Sequence, residues 1–240
     1  MPFLHPEWLV PAEFPALAAE EVHVWLSVLP AAEESVSQLA RLLSPDEQAR
    51  AARFHFPKDR AAFVTARGRL RMLLGRYLRT APEKIQFILN AHGKPELPVP
   101  APLQFNLSHS GELAAFAFTR HHRVGVDVEQ VREDFACDSV AERFFAPVEV
   151  TQLRALPAAG QTAAFFECWT RKEAFVKARG EGLSLGLEQF EVSVGGPARL
   201  LSVEGGEASR WTMHDLHPAD SYAGAVAVES AQAMLRRFAP

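Results

Sequence analysis

Two carboxylates stand two residues apart in the alternating run Val124-Gly125-Val126-Asp127-Val128-Glu129. Side chains at i and i+2 of a β-strand share a face, so Asp127 and Glu129 project together while Val124, Val126 and Val128 turn toward a core. Two acids held side by side repel unless a proton or a cation lies between them, and the pair therefore invites a divalent metal. Magnesium suits it, because it accepts a few carboxylates, water and phosphate oxygens in an octahedral shell. The bland alternative is a solvated strand face. A third acid, Glu173, lies in Trp169-Thr170-Arg171-Lys172-Glu173-Ala174-Phe175-Val176-Lys177, where helical spacing puts Trp169, Glu173 and Lys177 on one side. Alone, Glu173 and Lys177 would be a surface ion pair. On a helix flanked by aromatics, their charges need partners, which a metal and a phosphate would supply.

The other polar cluster is Asn106-Leu107-Ser108-His109-Ser110-Gly111, set before the apolar strand 113–118. Its hydroxyls and imidazole suit a phosphate, and they equally suit a capped turn. Serine-hydrolase chemistry is disfavoured, since Ser108 and His109 alternate across a strand and no carboxylate is placed to orient the imidazole. Gly180-Glu181-Gly182-Leu183-Ser184-Leu185 is a flexible turn, not a phosphate-binding Gly-Lys-Ser/Thr loop, and no dinucleotide fingerprint occurs.

The elements that must position these residues repeat. Val22-His23-Val24-Trp25-Leu26 matches Val124-Gly125-Val126-Asp127-Val128 at an offset of 102, and Leu42-Leu43-Ser44-Pro45-Asp46-Glu47 matches Phe144-Phe145-Ala146-Pro147-Val148-Glu149 at the same offset. Segment 85–88 matches 190–193, and 113–118 matches 222–228. Pro at the first helical position with Glu in the first turn marks a helix start in both copies. Each half reads as strand, short helix, long helix and further strands, with long helices over 60–78 and 163–179, the second ended by Gly180. The pattern predicts an α+β chain of two similar halves, 1–120 and 121–240, with a cleft between them.

Composition narrows the classes. The chain has 240 residues, 48% of them hydrophobic, enough for a sizeable core. Apolar runs fall short of a membrane span and the first residues lack a secretory pattern, so a cytoplasmic protein is expected. Two cysteines, Cys137 and Cys168, make no disulfide framework, and no zinc spacing occurs. A net charge of −4 argues against a dedicated nucleic-acid binder, yet 41–79 holds ten basic residues against three acidic ones. Such a segment grips a multiply phosphorylated ligand or merely decorates solvated helices.

Taken in order, Gly93-Lys94-Pro95, Asn106-Leu107-Ser108-His109-Ser110, Gly125-Val126-Asp127-Val128-Glu129 and Trp169 to Lys177 with Gly180 and Gly182-Leu183-Ser184 resemble the Sfp-type 4′-phosphopantetheinyl transferases over about 22–228. The resemblance implies a pseudo-dimer of two α+β halves with coenzyme A in the cleft. It implies that Asp127, Glu129 and Glu173 hold Mg2+, for which Mn2+ could substitute. Ser108 and His109 would lie near the nucleotide phosphate, Lys177 at the pyrophosphate, and Arg53 and Lys94 at the adenosine end. Asp127, Glu173 and Lys177 would form the catalytic set, with Glu173 the general base. The acceptor would be a serine of an apo acyl or peptidyl carrier protein; the duplicated architecture, with both halves of a cleft in one chain, suggests a monomer. Phe135, Phe144, Phe145, Val148 and Leu153, with Arg132, Arg143 and Arg154, are the expected carrier surface, though Phe144 and Phe145 equally read as core. A nucleotide-capturing binding protein and a metal-dependent phosphohydrolase are the competing classes.

Overall fold

The computed structural model describes residues 4–182, 185–206 and 208–239. Leu183 and Ser184 of the glycine-rich turn lie outside them. The chain runs β1 (Glu21–Val28), α1 (Glu33–Ala40), α2 (Pro45–Ala52), α3 (Pro57–Leu78), β2 (Ile88–Leu89), β3 (Pro95–Glu96), β4 (Gln104–Ser110), β5 (Leu113–Thr119) and β6 (Val124–Gln130). It continues as α4 (Cys137–Phe144), α5 (Pro147–Ala155), α6 (Ala158–Arg179), β7 (Phe190–Val192), β8 (Leu200–Val203), β9 (Thr212–Asp215), β10 (Tyr222–Val228) and β11 (Met234–Phe238).

The two halves are alike. In each, a strand is followed by short helices, a 22-residue helix and an antiparallel strand pair. The long helices begin earlier than their apolar stripes indicate, at Pro57 and Ala158, because their first turns hold no large apolar residue and so carry no periodic signal. Both end on a left-handed residue, Arg79 and Gly180.

One sheet has the order β11-β1-β5-β4 and the other β6-β10-β9. All ladders in them are antiparallel except β1 with β11, where Trp25 lies opposite Phe238. The last strand thus crosses back into the first half's sheet. Strand alternation sorts the side chains. Val22, Val24 and Leu26 of β1 and Val124, Val126 and Val128 of β6 meet in one core shared by the two sheets. The opposite faces pack on the long helices, β1 and β5 against α3 and β10 against α6.

The stretch 90–94 is the turn of the β2–β3 hairpin, with Asn90 bonded backbone to backbone to Lys94. Segment 85–88, matched above to 190–193, is strand only at its end, Ile88, and Ile85 sits in the core. Short hairpins escape a pattern search because two residues cannot show an alternation.

One construction occurs twice. Glu47 caps α2 by accepting from the Ser44 backbone and binds Arg71 at 2.6 Å, while the Arg71 guanidinium donates to the carbonyls of Pro82 and Ile85. Glu149 caps α5 by accepting from Ala146 and pairs with Lys172 at 2.7 Å, while Lys172 donates to the carbonyls of Leu187 and Phe190. All four charged side chains are buried. Arg71, counted above among the possible phosphate ligands, is therefore a core residue.

Candidate active site

The site is built where β4, β6 and α6 meet. Gly125 is what lets them meet: a Cβ there would collide with the backbone of Ala174 and Ala178, so only glycine allows β6 to lie flat on α6. That approach brings Asp127 of β6 to Lys177 of α6, Nζ to Oδ1 at 2.6 Å. Lys177 pairs with Asp127 across elements, and the surface pair with Glu173 that helical spacing allows is not the observed one.

Asp127 is buried, and Ser108 donates to the same Oδ1 at 2.7 Å while accepting from Lys177 at 2.9 Å. The other oxygen, Oδ2, is buried with no hydrogen-bond partner among the described residues. Such an atom is costly unless a ligand meets it. Glu129, half-buried, accepts from Ser110 at 2.7 Å. Burial and then the Asp127 charge push its carboxyl above the usual carboxylate range, against the pull of Ser110, Lys177 and Arg132. Glu173 is likewise raised, by burial first and by Asp127 next, with Lys177 opposing and Glu129 adding. Each of these two acids feels its neighbours as negative charge, the condition a divalent cation relieves.

Among the described residues no three His, Cys, Asp or Glu side chains form a ready-made metal cage. The donor set nonetheless fits a hard cation: oxygen ligands only, one orphaned oxygen, and two carboxyls raised by burial and mutual repulsion.

A cleft of about 610 Å³ opens beside these groups, lined by Lys94 and Pro95 from the hairpin, Asn106 and Leu107 from β4, and Trp169, Glu173 and Lys177 from α6. Trp169, Glu173 and Lys177 do share the cleft face, as their spacing predicts. His109 points away from Ser108 and is exposed; desolvation, Lys177 and Arg50 hold its imidazole below the usual range. Lys94 does not extend freely into the cleft. Its ammonium donates to the carbonyls of Lys177 and Val124, closing the C-terminal end of α6, and burial lowers its pKa to about 8 despite Glu96. Arg53 is exposed just past α2 and is not among the residues lining the cleft.

Of the expected carrier surface, Phe145 and Leu153 are core, Phe144 is half-buried on the cleft wall, and Val148 is 42% exposed. Arg154 is engaged by Asp138 and Glu142. Sequence reasoning missed the part played by Ser110 and by Gly125. The signal for Gly125 was present: it replaces His23 of the first copy in an otherwise matching strand.

Comparison with known proteins decides the family. The 4′-phosphopantetheinyl transferase superfamily matches residues 123–227, and the N-terminal region of 4′-phosphopantetheinyl transferases matches 29–121. The chain is 39% identical to the 4′-phosphopantetheinyl transferase HetI of Nostoc sp. over 226 residues, 92% of this chain and 93% of the relative. The chain belongs to the Sfp-type 4′-phosphopantetheinyl transferases. It is 30% identical to the transferase Sfp of Bacillus subtilis over 163 residues, 68% of this chain and 71% of that one. A solved holo-[acyl-carrier-protein] synthase of Thermotoga maritima covers 45% of this chain and 62% of its own at 25% identity and a TM-score of 0.36, too partial a likeness to bear on the transferase fold. The mixed helix-and-sheet architecture in two similar halves is thus that of a phosphopantetheinyl transferase. No helix among the described residues is long and apolar enough to cross a membrane.

Proposed function

We propose that this transferase moves the 4′-phosphopantetheine group of coenzyme A to a serine hydroxyl of an apo acyl or peptidyl carrier protein, with Asp127, Glu129 and Glu173 holding Mg2+ or Mn2+. The observation that carries the metal assignment is the buried, unpartnered Oδ2 of Asp127, whose charge helps raise the carboxyls of both Glu129 and Glu173. Bound there, the cation would act as a Lewis acid on the pyrophosphate oxygens.

The residues supply the rest. The serine oxygen attacks the β-phosphorus, the phosphoanhydride bond breaks, and adenosine 3′,5′-bisphosphate leaves with the electron pair. Glu173, an acid on the cleft wall beside the metal site, takes the serine proton. Lys177 offsets charge on the leaving phosphate. In this reading Ser108 acts by holding Asp127 and Lys177, and its hydroxyl is already engaged by both. His109 is assigned the nucleotide phosphate and Lys94 and Arg53 the adenosine end, an assignment that rests on the family resemblance: of the three, Lys94 lines the cleft, with its ammonium held by two backbone carbonyls.

The halves 1–120 and 121–240 supply opposite walls of the cleft, which supports a monomer as the working unit. The cytoplasmic placement expected from the sequence belongs to the same reading.

Incubating the protein with coenzyme A and Mg2+, with and without an apo carrier, tests this by mass spectrometry. Gain of one phosphopantetheine on the carrier, abolished by chelation, is the expected outcome. Cleavage of coenzyme A without a carrier would instead make the protein a phosphohydrolase.

A further inference from the structure

Strands β4 and β6 are neighbours that share no backbone ladder, since they belong to different sheets. Side chains join them instead, at every second residue of β4. Asn106 accepts from the Val126 backbone through Oδ1 at 2.9 Å, Ser108 donates to Asp127 at 2.7 Å, and Ser110 donates to Glu129 at 2.7 Å while accepting from the Gln130 backbone at 3.1 Å. The period of two is what places all three on one face of β4. The first rung fixes the register of β6, and the next two fix carboxylates.

Ser110 is held where it must be to do this. The turn after it passes through Gly111 at φ +55, where a Cβ would come within 2.5 Å of Gln130 Oε1 and 2.6 Å of the Tyr222 hydroxyl. The Tyr222 hydroxyl in turn accepts from the Glu112 backbone at 2.9 Å. The β4–β5 turn is thereby fastened to the second half, and the Ser110 hydroxyl is aimed at one oxygen of Glu129.

We infer that Ser110 is a positioning residue for the metal: it holds the Glu129 carboxylate turned toward Asp127 and Glu173, and so sets the affinity of the site for a divalent cation. The inference rests on the assignment of those three acids to the cation. Without the hydroxyl, a half-buried glutamate with several rotatable bonds is free to swing toward solvent, and a ligand that must be recaptured binds more weakly. Groups that orient metal ligands from behind contribute about 10- to 100-fold in affinity.

The test compares Ser110→Thr with Ser110→Val. Both new residues are β-branched and suit a strand, and they differ by the hydroxyl alone. MnCl2 is titrated into the intact protein with coenzyme A present, free Mn2+ being read by electron paramagnetic resonance and corrected for coenzyme A alone. Ser110→Val is expected to weaken Mn2+ binding about 10- to 100-fold, with Ser110→Thr restoring most of it. In carrier loading the same variant should raise the Mg2+ concentration at half-maximal rate while leaving the rate at saturating Mg2+ near wild type. Unchanged Mn2+ affinity in Ser110→Val, or equal weakening in Thr and Val, would overturn the inference while leaving the metal site in place. Wild-type protein that takes up no Mn2+ would overturn the metal assignment itself, and this inference with it.

Discussion

In the first half, Arg71 of α3 ties Glu47 to the carbonyls of Pro82 and Ile85; in the second, Lys172 of α6 ties Glu149 to those of Leu187 and Phe190. The framework is the same, and what hangs on it is not. One residue beyond each latch stand Met72 and Glu173, and at matching places in the strands stand Trp25 and Ser27 against Asp127 and Glu129. The spacing of strand and helix differs too. Where the second half has Gly125 against Ala178, the first has His23 against Tyr77, whose ring and hydroxyl meet at 2.8 Å. Trp25 donates to the same hydroxyl and stacks on Phe14 and Phe238, the latter from the returning strand β11. An aromatic layer therefore fills the first half where a glycine opens the second to a charged cluster. In the proposed mechanism the duplicated parts do structural work, and the unmatched parts do chemistry.

This comparison can be broken in order of expected effect. If the latches are equivalent, both Lys172→Met and Arg71→Met should destabilise: Lys172→Met by about 3–5 kcal/mol, because it strands buried Glu149 without its cation, and Arg71→Met by less, because Arg67 still lies 3.3 Å from Glu47. Chemical denaturation would show it, and a variant of either latch that lost no stability would contradict the equivalence. Gly125→Ala forces a methyl into the backbone of α6, with an expected loss of about 3 kcal/mol. Its carrier loading should fall further than its stability alone explains, since Asp127 is drawn away from Lys177. His23→Ala, at the matching place, removes one of two polar partners of Tyr77 and should lower stability by about 1 kcal/mol with loading intact. A smaller effect has the opposite sign. Burial and Asp127 raise the Glu173 carboxyl in the folded protein, so the folded state binds that proton more tightly than the unfolded chain, and stability falls as pH rises through the folded pKa. Metal-free Glu173→Gln should therefore melt above wild type at pH 8, and the difference should vanish in acid below the ordinary carboxylate range.

Much of this was legible in the residues. The offset near 102, the strand alternation that pairs Asp127 with Glu129, and the helical spacing of Trp169, Glu173 and Lys177 are patterns written in the residue order itself, and each survives in the structure. What was illegible depends on contacts between distant segments. No pattern within 104–110 indicates that Ser108 and Ser110 turn to β6 rather than to a phosphate. No pattern indicates that Lys94 closes the end of α6, or that β11 returns to β1 over more than 200 residues of chain. One member of the basic segment misled for the same reason: Arg71 reads as one charge among ten until Glu47 is seen buried against it.

The central claim, that chemistry resides in the acids of the second half and in nothing at the matching positions of the first, is tested most directly by measuring carrier loading in Glu173→Gln beside Met72→Gln. Mass spectrometry of an apo carrier with coenzyme A and saturating Mg2+ would follow both. The account predicts that Glu173→Gln loses activity by about 100-fold or more, as removal of a general base does, while Met72→Gln stays within about twofold of wild type. Equal losses in the two variants, or near wild-type loading by Glu173→Gln, would contradict it.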